Sequence, residues 1–99
     1  MAHQVGWSDR AVDDVDQIAA YISRDSAEYA HRVVDRILQA SRSLQDFPAR
    51  GRVVADIGAD SIRELPMYNF RLIYRIDGNV VTILTVVHVA RKIGNLVDQ

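Results

Sequence analysis

His88, Arg91 and Lys92 close a long apolar run, and Arg71 and Arg75 lie upstream at a spacing that puts both on one side of a strand. Imidazole and guanidinium groups gathered at one end of an apolar element are suited to anions. They can hold a phosphate or carboxylate, or stabilise charge that builds on phosphorus. Each has a plainer reading as well. His88 is equally consistent with a histidine hydrogen-bonded at a strand end. Arg71 and Arg75 could instead pair with Glu64 across a sheet or with acidic helix residues, where exposed pairs contribute only ~0–1 kcal/mol. Arg63 and the loop residues Arg50 and Arg52 are expected to be mainly solvated. Asp13, Asp14 and Asp16 have metal-ligand chemistry, but helical spacing spreads them, so a solvated surface is expected. His3, His31 and His88 are far apart and there is no cysteine, so no metal site, thiolate chemistry or disulfide is expected. No cofactor motif is visible.

The element that positions these groups runs from Tyr68 to Lys92, YNFRLIYRIDGNVVTILTVVHVARK. Phe70, Leu72, Tyr74 and Ile76 alternate with Arg71, Ile73, Arg75 and Asp77, the period of two that a strand requires. Asp77-Gly78-Asn79 suits a tight hairpin turn. Val80 to Val89 is almost continuously apolar and β-branched, which predicts a central strand covered on both faces.

Upstream, His3 to Trp7 reads as a first short strand. Ser8 is a suitable N-cap, and Val12, Val15, Ile18, Ala19 and Ile22 recur at helical spacing to about Arg24. Ser26 caps a second helix expected over Ala27 to about Asp46, with Ala30, Val33, Val34, Ile37, Leu38, Ser41 and Leu44 on its buried face. The connection between them is so short that the helices should pair antiparallel. Phe47-Pro48 ends the second helix. Residues 48–60 read as an irregular connection with a brief extended piece at Val53-Val54, and Ser61 to Met67 as a strand that Pro66 confines to an edge or a bulge. Trp7, Tyr21 and Tyr29 are expected to pack in the core or between the helices, with a groove for a partner helix as the lesser alternative. Residues 93–99 are expected to form one helical turn or to fray. The order predicts a single α+β domain over residues 1–99, β-α-α-β-β-β. A helical hairpin packs on one face of a mostly antiparallel sheet of three to four strands.

Composition sets outer limits. Apolar residues make up 48% of the chain, enough for a core, yet no run reaches the roughly 18 residues of a membrane span. The N-terminus lacks the basic-then-apolar order of a signal peptide, so a cytoplasmic protein without membrane contact is expected. Net charge is −1, which argues against binding nucleic acid through bulk charge. The charge is unevenly shared, however. Residues 1–48 hold eight acids against five arginines, and residues 49–99 hold seven bases against five acids, giving an acidic helical half and a basic sheet half.

With these residues in order, the chain resembles the RelE/ParE superfamily of toxins from type II toxin–antitoxin systems. The resemblance is carried by WSDRAVDDVDQIAAYI, LQDFPARGRVV, IREL, YNFRLIYRI and ILTVVHVAR, and covers Val5 to Lys92. It implies a cognate antitoxin whose disordered C-terminal segment folds across the toxin, and contact with operator DNA only through that antitoxin. It also implies one of two activities. RelE-like members cut mRNA on the ribosome, and ParE-like members inhibit DNA gyrase. Cleavage needs a base for the 2′-hydroxyl, an acid for the leaving oxygen and cations for the phosphorane. RelE-like chains supply these with several Lys and Arg and a Tyr near the C-terminus. Here Lys92 is the only lysine and no tyrosine follows the last strand. The HVAR ending is closer to the ParE branch, and a gyrase-binding inhibitor without catalytic residues is the favoured reading. On it, Arg63, Arg71, Arg75, His88, Arg91 and Lys92 bind the target or the antitoxin. On the ribonuclease alternative, with ribosome and mRNA as partners, Arg71, Arg75, His88 and Arg91 are the catalytic candidates.

Overall fold

Val80–His88 (β5) is the spine of the computed structural model, which describes residues 2–91. It lies between Gln4–Trp7 (β1) and Phe70–Asp77 (β4), followed outward by Ile62–Met67 (β3) and Arg52–Val53 (β2). The sheet thus has five strands rather than three or four, because two residues of the irregular connection pair with Arg63 and Glu64. β1 runs parallel to β5, and every other pair is antiparallel. Gly78, at φ +61°, turns β4 into β5 between the paired residues Asp77 and Val80.

Two helices, Asp9–Ser23 (α1) and Ala27–Ser43 (α2), cover one face. Ser8 and Ser26 cap them as expected, accepting from the backbone N–H of Ala11 and Tyr29. Ala11, Val33, Ile37, Ala40 and Leu44 meet Leu65, Met67, Leu72, Tyr74, Val81, Ile83 and Val86 in the main core. Ser41 is buried in that face, and its hydroxyl accepts from the Trp7 indole at 3.0 Å. The segment after β2 covers the opposite face, where Val54 and Ile57 pack on Ile62, Ile73, Leu84 and Val87. β5 is therefore enclosed on both sides over most of its length, which is why its sequence is apolar apart from Thr82, Thr85 and the terminal His88.

β5 contains a bulge. Tyr74 pairs with Ile83 and Ile73 with Thr85, leaving Leu84 without a partner on β4. The extra residue reverses the alternation, so Val81, Ile83 and Val86 serve the helix-side core while Leu84 and Val87 serve the other. α1 satisfies the polar groups around the irregularity. The Ser8 hydroxyl donates to the Leu84 carbonyl at 2.9 Å, and the Asp14 carboxylate accepts from the Val86 N–H at 3.0 Å and from the Thr85 hydroxyl. Asp14 is thus a clamp between α1 and β5, not a member of a solvated acidic surface. Tyr21, by contrast, is 71% exposed and Val12 47% exposed, although helical spacing aligned Val12 with the buried side.

Tyr74 closes the other end of the core. Its hydroxyl donates to the Pro48 carbonyl at 2.6 Å and accepts from the Gly51 N–H at 2.9 Å. A Cβ on Gly51 would stand 2.6 Å from that hydroxyl and 2.7 Å from the Glu64 carbonyl, so only glycine fits. Gly51→Ala should cost about 1–3 kcal/mol through overpacking, read as a lower urea midpoint at unchanged slope. Burial raises the Tyr74 pKa above its usual 10.0, against the opposing pull of the Gly51 N–H, Arg63 and Arg50. The folded state therefore holds this proton more tightly than the unfolded one. That stability is complete below pH ~10 and falls as pH rises through the folded pKa. Tyr74→Phe should remove this alkaline loss while costing about 1–3 kcal/mol at neutral pH.

Candidate partner-binding site

The arginines of the sheet are largely spoken for. Arg71 points from β4 to the face opposite the helices, and its side chain is 12% exposed. Its Nη1 donates to Glu64 Oε1 at 3.1 Å, and its Nη2 donates to the Arg91 carbonyl and lies 4.0 Å from Asp56 Oδ2. Glu64, 4% exposed, also meets Arg52 at 3.6 Å. Pairing with Glu64 is thus the role realised by Arg71. Arg63 is not simply solvated, since it donates to the carbonyls of Asp60 and Gly51 at 3.0 and 2.9 Å. Arg50 donates to the Ser43 hydroxyl. Arg75 sits half-buried opposite Ile62 and Thr82, with no ion pair among the described residues. Lys92 lies outside the described residues, as does the expected helical turn over residues 93–99.

His88 and Arg91 do come together, on the helix side of the sheet. His88 ends β5 opposite Phe70, its ring edge-on to the phenyl at 6.2 Å. The turn that follows is bonded at three points. The Ala90 N–H donates to His88 Nδ1, the Arg91 N–H donates to the His88 carbonyl, and Arg71 holds the Arg91 carbonyl. With Nδ1 accepting, the neutral ring carries its proton on Nε2. Between this turn and α1 lies an open groove of about 290 Å³. Ile18, Phe70 and Val86 are apolar in its lining, Gln17 and Tyr21 come from α1, and His88 and Arg91 from β5 and its turn.

Tyr21 and Tyr68 are the surface residues that pattern reading missed. Tyr21 sits in the last helical turns of α1, beside the Ile18 and Ile22 positions that pack on the core and in line with Asp14 and Gln17. Arg24 lies over its ring at 6.0 Å. Tyr68 occupies the β3–β4 turn at φ +53°, a conformation uncommon for a bulky residue. It is half exposed and edge-on to Tyr29 at 5.8 Å. Nothing in local sequence signals an aromatic residue at a left-handed turn position.

Because Arg71 and Glu64 are both shielded from water, removing one should leave an uncompensated charge. Glu64→Ala should destabilise by about 3–5 kcal/mol, whereas the paired change Glu64→Leu with Arg71→Met should come out near neutral. Urea unfolding of both variants tests the difference.

Comparison with known proteins agrees with this architecture. Residues 5–93 match the family model described as the ParE toxin of the type II toxin–antitoxin system parDE. The candidate toxin Y4kP of Sinorhizobium fredii is 40% identical over 87 residues, covering 86% of both chains. Toxin RelE2 of Caulobacter vibrioides is 35% identical over 91 residues, covering 89% of this chain and 97% of that one. Among solved structures, the fold resembles a chain of the chromosomal ParDE system of P. aeruginosa with TM-score 0.71, 23% identity, and coverage of 89% here and 97% there. It also resembles a chain of the RelBE2 complex of Mycobacterium tuberculosis with TM-score 0.67, 21% identity, and coverage of 89% here and 99% there. With the match spanning both helices and all five strands, the chain belongs to the ParE toxin family of the RelE/ParE superfamily, the toxins of type II toxin–antitoxin systems.

Proposed function

We propose that this toxin arrests growth in the cytoplasm by binding DNA gyrase, and that it does not cut RNA. A cognate antitoxin binds and neutralises it, and operator DNA is reached only through that antitoxin. The observation that carries the reading is the internal commitment of two of the sheet cations, Arg71 and Arg63. A phosphorane needs positive charge aimed at it from a water-excluded site. Arg71 instead faces Glu64, Asp56 and a backbone carbonyl, and Arg63 faces carbonyls of its own loop. Releasing Arg71 to a phosphate would leave the buried Glu64 carboxylate with only the exposed Arg52 guanidinium at 3.6 Å, a weaker compensation for its burial. Around the groove Tyr21, His88 and Arg91 stay exposed, an aromatic and cationic composition shared with protein-binding hot spots.

The family description names a ParDE system, and the likeness to the P. aeruginosa ParDE chain points the same way. The partner named in the M. tuberculosis complex supports an antitoxin for this chain as well. The test uses the purified protein in two assays. Gyrase supercoiling should fall as toxin approaches the gyrase concentration, while mRNA on translating ribosomes stays whole. Cleavage of mRNA in the ribosomal A site with supercoiling intact would assign the chain to the ribonuclease branch.

A further inference from the structure

We propose that the groove between α1 and the end of β5 is the face that engages the growth-arresting target. It would take a large apolar side chain from an acidic segment of that protein. The inference rests on the reading of the chain as a toxin that works by protein binding, and adds which surface does so and what it recognises.

Three observations support it. The first is charge. Among the groove's lining residues Asp14 is the only carboxylate, and it is occupied by the Val86 N–H and the Thr85 hydroxyl. His88 and Arg91 are left as the basic groups of the lining, both exposed beside the neutral Gln17 and Tyr21, and no ion pair of theirs occurs among the described residues. A segment bearing Asp or Glu complements this rim. The second is shape. Ile18, Phe70 and Val86 give an apolar floor between the exposed Tyr21 ring and the His88 imidazole. Such a floor can desolvate one anchor side chain inside a polar rim.

The third is preorganisation. Arg71 and the two hydrogen bonds within residues 88–91 hold the turn carrying Arg91 before any partner arrives, which lowers the ordering cost of binding. Arg71 thereby becomes a positioning residue for Arg91. A second apolar surface, the cleft lined by Ala19, Ala20, Ala27, Ala30 and Val34 between the helices, has His31 but no arginine in its lining and also carries the Asp35 carboxylate. An acidic segment would meet less positive charge there than at His88 and Arg91.

The experiment has two arms on the full chain. In the first, ¹⁵N-labelled protein is titrated with the synthetic peptide Asp-Glu-Phe-Glu-Asp. Shifts are expected at Ile18, Phe70, Val86, His88 and Arg91, and should be lost when the peptide's phenylalanine becomes alanine or its acids become amides. In the second, Arg91→Glu and His88→Gln, both surface changes, are compared with wild type for gyrase inhibition and growth arrest. A fall of about tenfold or more in inhibitory potency is expected, with the unfolding midpoint unchanged. Shifts confined to the cleft between the helices, or none at millimolar peptide, would overturn the proposal. So would groove binding combined with undiminished growth arrest by the variants, which would give the groove to the neutralising partner instead. A wild-type protein without effect on gyrase would sink the functional reading, while the peptide arm would still report on the groove.

Discussion

The grip of α1 on the bulge of β5 is the constraint on which the rest of the molecule depends. One extra residue, Leu84, reverses which side chains of the strand face the helices. An irregularity in a strand buried on both faces leaves backbone groups that must find partners away from water. Ser8 and Asp14 supply them from a single helix, one at its cap and one less than two turns on. The same contacts bring Gln17, Ile18 and Tyr21 alongside the end of β5, so the groove is a consequence of how the bulge is satisfied.

The two faces of the sheet differ in kind. Toward the helices the contacts are mainly apolar and the polar exceptions, Ser8, Asp14, Ser41 and Tyr74, have partners. Away from them, a small apolar cluster adjoins an ionic one in which Glu64 sits between Arg71 and Arg52. A buried ion pair is weak evidence for net stability, because desolvation offsets most of the attraction. Its consequence here is geometric. Arg71 ties the strand β4, the covering segment at Asp56 and the turn at Arg91 into one unit. Burial takes one base and one acid of this half out of water together, so the excess of positive charge is carried by the other, more exposed arginines.

The features that were legible in the sequence are those with local causes. Capping by Ser8 and Ser26 depends on residues within one turn, and the alternation along β4 follows from the pleat, so both read correctly. The enclosed β5 announced itself through its uniform apolar composition. That same uniformity hid the bulge, since inserting one residue into Val-Val-Thr-Ile-Leu-Thr-Val-Val leaves no break in pattern. Asp14 was misread for the same reason, because its partners exist only once the bulge does. The Arg71–Glu64 pair was one of two open readings, and only the register of β3 against β4 decides it. Tyr21 failed differently. It borders the stripe of Ile18 and Ile22 that packs on the core, and an aromatic residue at that border is either covered or exposed according to what the sheet places beside it.

The central claim is that the Arg71 and Arg63 guanidinium groups belong to the fold, leaving the groove beside α1 to act on a partner. The most direct measurement is guanidinium ¹⁵N NMR of Arg71 with and without a single-stranded oligoribonucleotide. A side chain held by Glu64 and the Arg91 carbonyl should show separate, slowly averaging Nη resonances that do not move when RNA is added. Averaged resonances in the free protein, or a shift of the Arg71 signals on adding RNA, would contradict the account.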